Sequence, residues 1–374
     1  MIYFDHNATS PISAVAKEAW LSAVERFSAN PSSPHRPGSR AEVALTAARQ
    51  EIAAHLGCSE FDLVFTSGAT EANNAVFYHV SREQSGEVWI SAIEHPSVIA
   101  AAERWFPNRV KLLKVTPAGE MDLNHLEKKL KQTRPALVAL MAANNETGVL
   151  QPWEDARELC AAHGVLFFCD AAQWIGKEPA RGLGSCDFIS GCAHKFGGPV
   201  GIGFLKAHAD FKALIVGGPQ QEGRRAGTEN VASALSMTAA WAEREQQLES
   251  GQNQERANWR DAFVKQLQAA LPGLEVLGLR APRLWNTVAA LMPPTPDCRR
   301  RWVVQMDKLG FAVSTGSACA SGKQKPSHVL TAMGYDPSVA DRMLRFSAGW
   351  DTTEQDWQLL LDGIQSAFAE LNLK

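Results

Sequence analysis

The sequence predicts an α/β fold: a mostly parallel seven-stranded sheet between helices in a large domain, plus a smaller α+β domain. Two observations carry the first part. Between about residues 40 and 215, seven short apolar runs alternate with stretches of helical periodicity. The runs are continuous rather than alternating, as strands covered on both faces are. A third observation carries the second part. From Glu229 to about Ala270 the chain becomes helical and polar, and weaker strand signals and loops follow. The length, 374 residues, also exceeds what one compact core usually takes.

Taken in order, RAEVALTAARQEIAAHLG (40–57) reads as a helix with Val43, Ala44, Ala47, Ala48, Ile52 and Leu56 on one face and Gly57 as its C-cap. DLVFTS (62–67) follows as a strand, then a helix from about Ala69. The remaining strands of the large sheet are expected at EVWIS (87–91), RVKLL (109–113), ALVALM (136–141), VLFFCD (165–170), DFISG (187–191) and GIGFL (201–205). AAWAEREQQLES and WRDAFVKQLQAAL mark a long helix and its successor. TVAALM, FAVS and MLRFS then supply strands, and TTEQDWQLLLDGIQSAFAEL a last helix. The expected division is residues 15–250 for the large domain, with 1–14 and 251–374 forming the small one.

Composition narrows the function. Apolar residues make up 45% and charged residues 21%, an ordinary globular balance. A formal net charge of −3 offers no basic face, which argues against nucleic acid as a direct partner. The seven cysteines (58, 160, 169, 186, 192, 298, 319) are odd in number and lack zinc spacing, so reduced thiols and no metal are expected. MIYFDHNATSP is unlike a secretion signal, and the longest apolar run, ALVALMAA (136–143), is too short to span a bilayer. A soluble cytoplasmic protein is expected.

Several segments carry candidate chemistry. In STGSACASG (314–322), Cys319 sits among residues too small to bury it. In CAHKFGG (192–198), Lys195 follows a strand; a partly desolvated lysine can form a Schiff base, though an exposed loop lysine fits the segment as well. Asp170 ends an apolar strand, where ligands of open α/β sheets gather; it either holds a protonated ring nitrogen or caps the next helix. TSGATEANN (66–74) is strand, glycine turn and helix start, suited to a phosphate or simply to starting a helix. His95, in IEHPS, is catalytic or bonds a backbone carbonyl. The two arginines of GRRAGTEN (223–230) serve an anion or a solvated basic patch. Arg345, within LRFSAG, needs a partner: a bound carboxylate or a structural acid.

Together the segments say more. The order GATE, E-H, NNETG, D-A-x-Q, H-K-F-G-G-P, R-x-G-T, G-S-A-C and R-F-S resembles the cysteine desulfurases of the NifS/IscS-like branch, in the class V aminotransferase group with the fold type I architecture of pyridoxal 5′-phosphate (PLP) enzymes. The resemblance runs from YFDHNATSP to LRFSAG. It implies that Lys195 bears the cofactor and shuttles the substrate's Cα proton, that Asp170 pairs with the pyridinium nitrogen, that Gln173 bonds the phenolic oxygen and that His95 stacks on the ring. Ala69, Thr70 and His194 would hold the phosphate, Thr228 would reach the phosphate of a neighbouring subunit in a homodimer, and Asn145 and Arg345 would take the substrate carboxylate. Cys319 would accept the sulfur of L-cysteine as a persulfide, release L-alanine and deliver the sulfur to an acceptor or scaffold protein for iron–sulfur cluster assembly or tRNA thiolation.

ACASGKQKPSHVLTAMG has the length of the long-loop branch, which usually passes sulfur directly to a scaffold or carrier. Departures from the family pattern are Cys192 where a phosphate-binding serine is common, Pro219 and Gln221 in place of glycine and glutamate, Lys325 in place of an acid, and a bulky Trp174 beside Gln173. The alternatives are a class V aminotransferase or amino-acid lyase acting on another substrate, or a non-catalytic sulfur carrier that kept the fold.

Overall fold

The computed structural model of the protein describes residues 1–295, 297–315 and 326–372. Strands run in chain order as β1 (Ile2–Tyr3), β2 (Leu63–Thr66), β3 (Val88–Ser91), β4 (Val110–Leu113), β5 (Leu137–Ala139) and β6 (Leu166–Asp170). They continue as β7 (Phe188–Cys192), β8 (Gly203–Lys206), β9 (Glu275–Val276), β10 (Thr287–Leu291), β11 (Phe311–Ala312) and β12 (Met343–Ser347). A seven-stranded sheet has the order β2-β8-β7-β6-β5-β3-β4. Its pairs are parallel except at β8, which runs against both β7 and β2. Since β2 and β7 both oppose β8, they run the same way. The C-terminal ends of β2, β3, β5, β6 and β7 therefore gather along one edge, where ligands of open α/β sheets collect.

Four helices matter for the site: α1 (Ala14–Arg26), α2 (Arg36–Leu56), α3 (Ala69–Glu83) and α4 (Pro96–Trp105). In α2, Pro37 pre-sets the first turn, His35 accepts the Gly38 N–H at 3.2 Å, and Gly57 ends the helix at φ 75°, left-handed backbone that glycine adopts without strain. Its buried face differs from the expected one. Ala41, Leu45, Ala48, Ile52 and Leu56 face the core, while Val43 is 69% exposed and Ala47 is also exposed. Steps of three and four from Ala41 close one stripe on the helix, and Val43 lies off that stripe. Residues Val231–Glu249 and Gln252–Ala270 form the long helix and its successor, and the first packs on α1, with Ser236 donating to the Ala16 carbonyl at 2.6 Å.

Two smaller sheets complete the architecture. β12, β10 and β9 form an antiparallel trio, and β1 lies parallel to β11. The N-terminal strand thus pairs with residues more than three hundred positions away. Beyond it the chain crosses to the large sheet, where Ser10 N–H donates to the His194 carbonyl and Ser13 N–H to the Gly197 carbonyl, both at 2.8 Å. Among the described residues no helix is long and apolar enough to cross a membrane.

Candidate active site

A cavity of about 460 Å³ opens at the C-terminal edge of the large sheet. One end is the start of α3. β2 stops at Thr66, Gly68 forms the turn, and the first helical turn carries no side-chain cap, so the amides near Ala69 and Thr70 face an anion's natural seat. His194 and Cys192 line the same end. His194 Nδ1 lies 3.2 Å from Thr9 Oγ1; burial, then Lys195 and Lys177, push it down to about 4, so it is neutral at pH 7. Cys192 is buried at the end of β7, its thiol is pushed up to about 11 by burial, and the Ala69 N–H donates to its sulfur.

Lys195 follows β7 in a short 3₁₀ turn, Ala193–Lys195. Its Nζ donates to the carbonyls of Asn7 and Ala8, both at 2.7 Å. Burial pushes the lysine below its usual range, Cys192 and Asp170 oppose that and Arg345 adds to it. The Asn7 carbonyl also accepts from Gln173 Nε2 at 2.9 Å, so one backbone oxygen aligns two of the expected residues.

Asp170, at the end of β6, is 5% exposed. One oxygen accepts the Ala172 N–H at 3.0 Å, as a helix-capping aspartate would, and the other accepts from Asn73 Nδ2 at 3.1 Å. The same Asn73 amide donates to Ser97 Oγ at 2.8 Å. Ser97 Oγ lies 2.7 Å from His95 Nδ1, and Ser97 N–H also points at that nitrogen, 3.2 Å away. Nδ1 is therefore the acceptor, the serine hydroxyl donates to it, and the proton of neutral His95 sits on Nε2. His95, the N-cap of α4, is lowered by burial, with Asp170 opposing and Lys195 and His328 adding to the shift.

Arg345, on β12, is 1% exposed and lines the cavity. It pairs with Asp5 Oδ1 at 2.6 Å and donates to the Asn145 carbonyl at 2.8 Å. The structural acid considered for it exists and comes from the N-terminal segment. Asn145 lines the cavity, as do Ala143 and Glu146.

The structure thus brings together Ala69, Thr70, His95, Asn145, Asp170, Gln173, His194, Lys195 and Arg345. Thr228 is exposed and outside the cavity lining. Cys319 and Lys325 lie outside the described residues. The expectation for GRRAGTEN needs correction: neither arginine is poised for an anion or forms a solvated patch. Arg224 is buried on the Phe61 and Leu63 carbonyls at 2.6 and 3.3 Å, and Arg225 pairs with Glu71 at 3.0 Å. Gln221 also has a local job. Its amide accepts from Phe65 N–H at 2.6 Å and donates to the Phe65 carbonyl at 2.9 Å, satisfying the free edge of β2.

Sequence reasoning did not single out Asn7, Ala8, Asn73, Ser97 or Lys177. Asn7 and Asn73 stand inside the quoted motifs YFDHNATSP and TSGATEANN, and Ser97 inside IEHPS, so the signal was present as proximity to named residues. Lys177 had none.

Known proteins resemble this chain in sequence and in shape. The profile of the class-V aminotransferases matches residues 2–360. A cysteine desulfurase of Klebsiella pneumoniae is 36% identical over 363 residues, covering 95% of this chain and 89% of that protein. The cysteine desulfurase NifS of Azotobacter vinelandii is 33% identical over 378 residues, covering 99% and 93%. A NifS-like protein from Rickettsia africae superposes with a TM-score of 0.89 at 30% identity, covering 99% of each chain.

Proposed function

The chain belongs to the class-V aminotransferase family, and we propose that it is a PLP-dependent cysteine desulfurase. It converts L-cysteine to L-alanine and passes the sulfur through Cys319 to an acceptor. The carrying observation is the half-buried Lys195, its Nζ seated on two carbonyls in one cavity with the Asp170 carboxylate and the uncapped start of α3.

That donor set fits the cofactor: an anion seat at one end, a buried carboxylate for a protonated ring nitrogen, an amide donor for a phenolic oxygen, and an amine between them. Lys195 would tether it. Ala69 through its N–H, Thr70 and His194 would hold the phosphate, Asp170 the ring nitrogen, Gln173 the phenolic oxygen, and His95 the ring face. When bound, PLP supplies an electron sink that weakens bonds to the substrate's Cα and beyond.

The remaining steps belong to the chain. Lys195 takes the Cα proton at Nζ; burial lowers its basicity and so favours the neutral amine, and the Asn7 and Ala8 carbonyls steady it. Asn145 and Arg345 receive the substrate carboxylate, and Asp5 balances the arginine between turnovers. The Cys319 thiolate attacks the substrate sulfur. An S–S bond forms as the C–S bond breaks, and the carbon gains a proton to give alanine. The persulfide then discharges to a carrier or scaffold protein, for iron–sulfur cluster assembly or tRNA thiolation.

We read the chain as a large domain, 15–250, and a small one, 1–14 with 251–374, in a cytoplasmic homodimer. Thr228 then reaches the phosphate bound by the partner. Exposed apolar side chains along α1 (Trp20, Leu21 and Val24) offer a face for that second copy.

The test is Cys319→Ala. It should keep the yellow absorbance of bound cofactor and lose alanine production from cysteine. Unchanged turnover would point instead to a transaminase or lyase acting without the thiol. Borohydride reduction and peptide mapping should place the label on Lys195; its absence there would end the enzyme reading.

A further inference from the structure

Lys177 is fully buried, yet it forms no ion pair among the described residues. Burying an amine this way is costly unless its hydrogens are used. The backbone puts it there deliberately. Gly176 turns the chain at φ 76°, and a Cβ at that position would sit 2.7 Å from Phe196 Cβ, so only glycine delivers the next side chain inward. From there Lys177 Nζ reaches two acceptors, Gln173 Oε1 at 2.5 Å and Asn7 Oδ1 at 3.2 Å. Burial pushes the lysine well below its usual range. A neutral amine still keeps two N–H groups, which equals the number of acceptors in reach.

An amide side chain can present either its oxygen or its NH₂ to a cavity at nearly equal steric cost. Here the choice is made from below. With its oxygen taken by Lys177 and one N–H on the Asn7 carbonyl, Gln173 has its second N–H left for the cavity it lines. We propose that Lys177 is a positioning residue that fixes the Gln173 amide as a hydrogen-bond donor to the cofactor's phenolic oxygen. The inference rests on the PLP reading above and adds what makes Gln173 a donor rather than an acceptor.

A donor at that oxygen lowers its basicity, so the colour change of the lysine-bound cofactor with pH reports it directly. In the holoenzyme, Gln173→Leu should raise the midpoint of that spectral titration by roughly half to one pH unit. Lys177→Met should raise it by a comparable amount, and the double variant should go no further than Gln173→Leu alone. A Lys177→Met midpoint equal to wild type, with Gln173→Leu shifted, overturns the role of Lys177. So does full additivity in the double variant, because the two residues would then act separately. If Gln173→Leu itself leaves the midpoint unmoved, the seat of the phenolic oxygen is wrong and the inference falls with it. Should Lys177→Met fail to fold, Lys177→Gln, which keeps an N–H donor, should hold the wild-type midpoint; a shift as large as that of Gln173→Leu overturns the proposal.

Discussion

Replacing Cys192 by serine should slow loss of the cofactor by about five- to tenfold. The residue is 3% exposed, and with its thiol raised to about 11 it is an S–H group at pH 7. It stands at the anion end of the cavity, beside the Ala69 N–H that donates to its sulfur. A thiol is a weak donor, whereas a hydroxyl gives a bound phosphate a charge-assisted bond. The difference is about 1 to 1.4 kcal/mol, or about five- to tenfold in affinity. In the cofactor-free protein the buried hydroxyl lacks that acceptor and costs roughly 1 kcal/mol. Cys192→Ser should therefore widen the gap between holo and apo melting temperatures as well as retain cofactor longer. The assay is the decay of the bound-cofactor absorbance on dilution into a PLP scavenger, with protein concentration held fixed. An unchanged decay rate and an unchanged melting gap would show that residue 192 does not face the phosphate.

Three further outcomes follow from the site. Acid should weaken the fold through His194, whose folded value is about 4 against 6.5 for the free side chain; the unfolded state takes up its proton first, so this contribution is complete above about pH 6.5 and is lost as pH falls toward 4. His194→Gln should flatten that part of the urea-stability profile of the apo protein, and an unchanged slope would count against it; His6, also near 4, keeps some slope in the variant. Ser97→Ala removes the hydroxyl donor to His95 Nδ1, leaving the backbone N–H of residue 97 as its donor there, and leaves an Asn73 N–H without its acceptor, so kcat should fall about tenfold while the melting temperature drops by only a few degrees; full activity would mean the hydroxyl does not hold the working orientation of His95. Arg345→Lys loses the planar fork that spans Asp5 and the Asn145 carbonyl, and KM for cysteine should rise about tenfold or more with a smaller change in kcat, steady-state kinetics being the check.

The sequence located most of this arrangement because strands and their ends are local events. The run DFISG anticipates β7 at Phe188–Cys192 to within one residue, and the residues just past such runs, His95, Asp170 and Lys195, arrive at the cavity for that reason. Errors arose where partners are distant. Arg224 and Arg225 looked like an anion site because the Phe61 and Leu63 carbonyls and Glu71 that hold them are more than 150 positions away. Lys177 carries no signal in the sequence because its acceptors include Asn7, 170 residues back. Val43 belongs to the face expected from helical periodicity and lies outside, since period alone leaves the rotation of a helix to its neighbours.

Asn7 sets the order in which the protein can become competent. Its side chain donates to Thr287 and accepts from Asn286, and its own N–H rests on Ser347, so the carbonyl that seats Lys195 is steadied by residues 279 to 340 positions further along the chain. A nascent chain that has made Lys195, Asp170 and the whole large sheet still lacks that seat. The finished seat of Lys195 therefore waits until the chain through Ser347 has been made, and cutting the chain back past Asn7 or Ser347 opens the pocket from beneath.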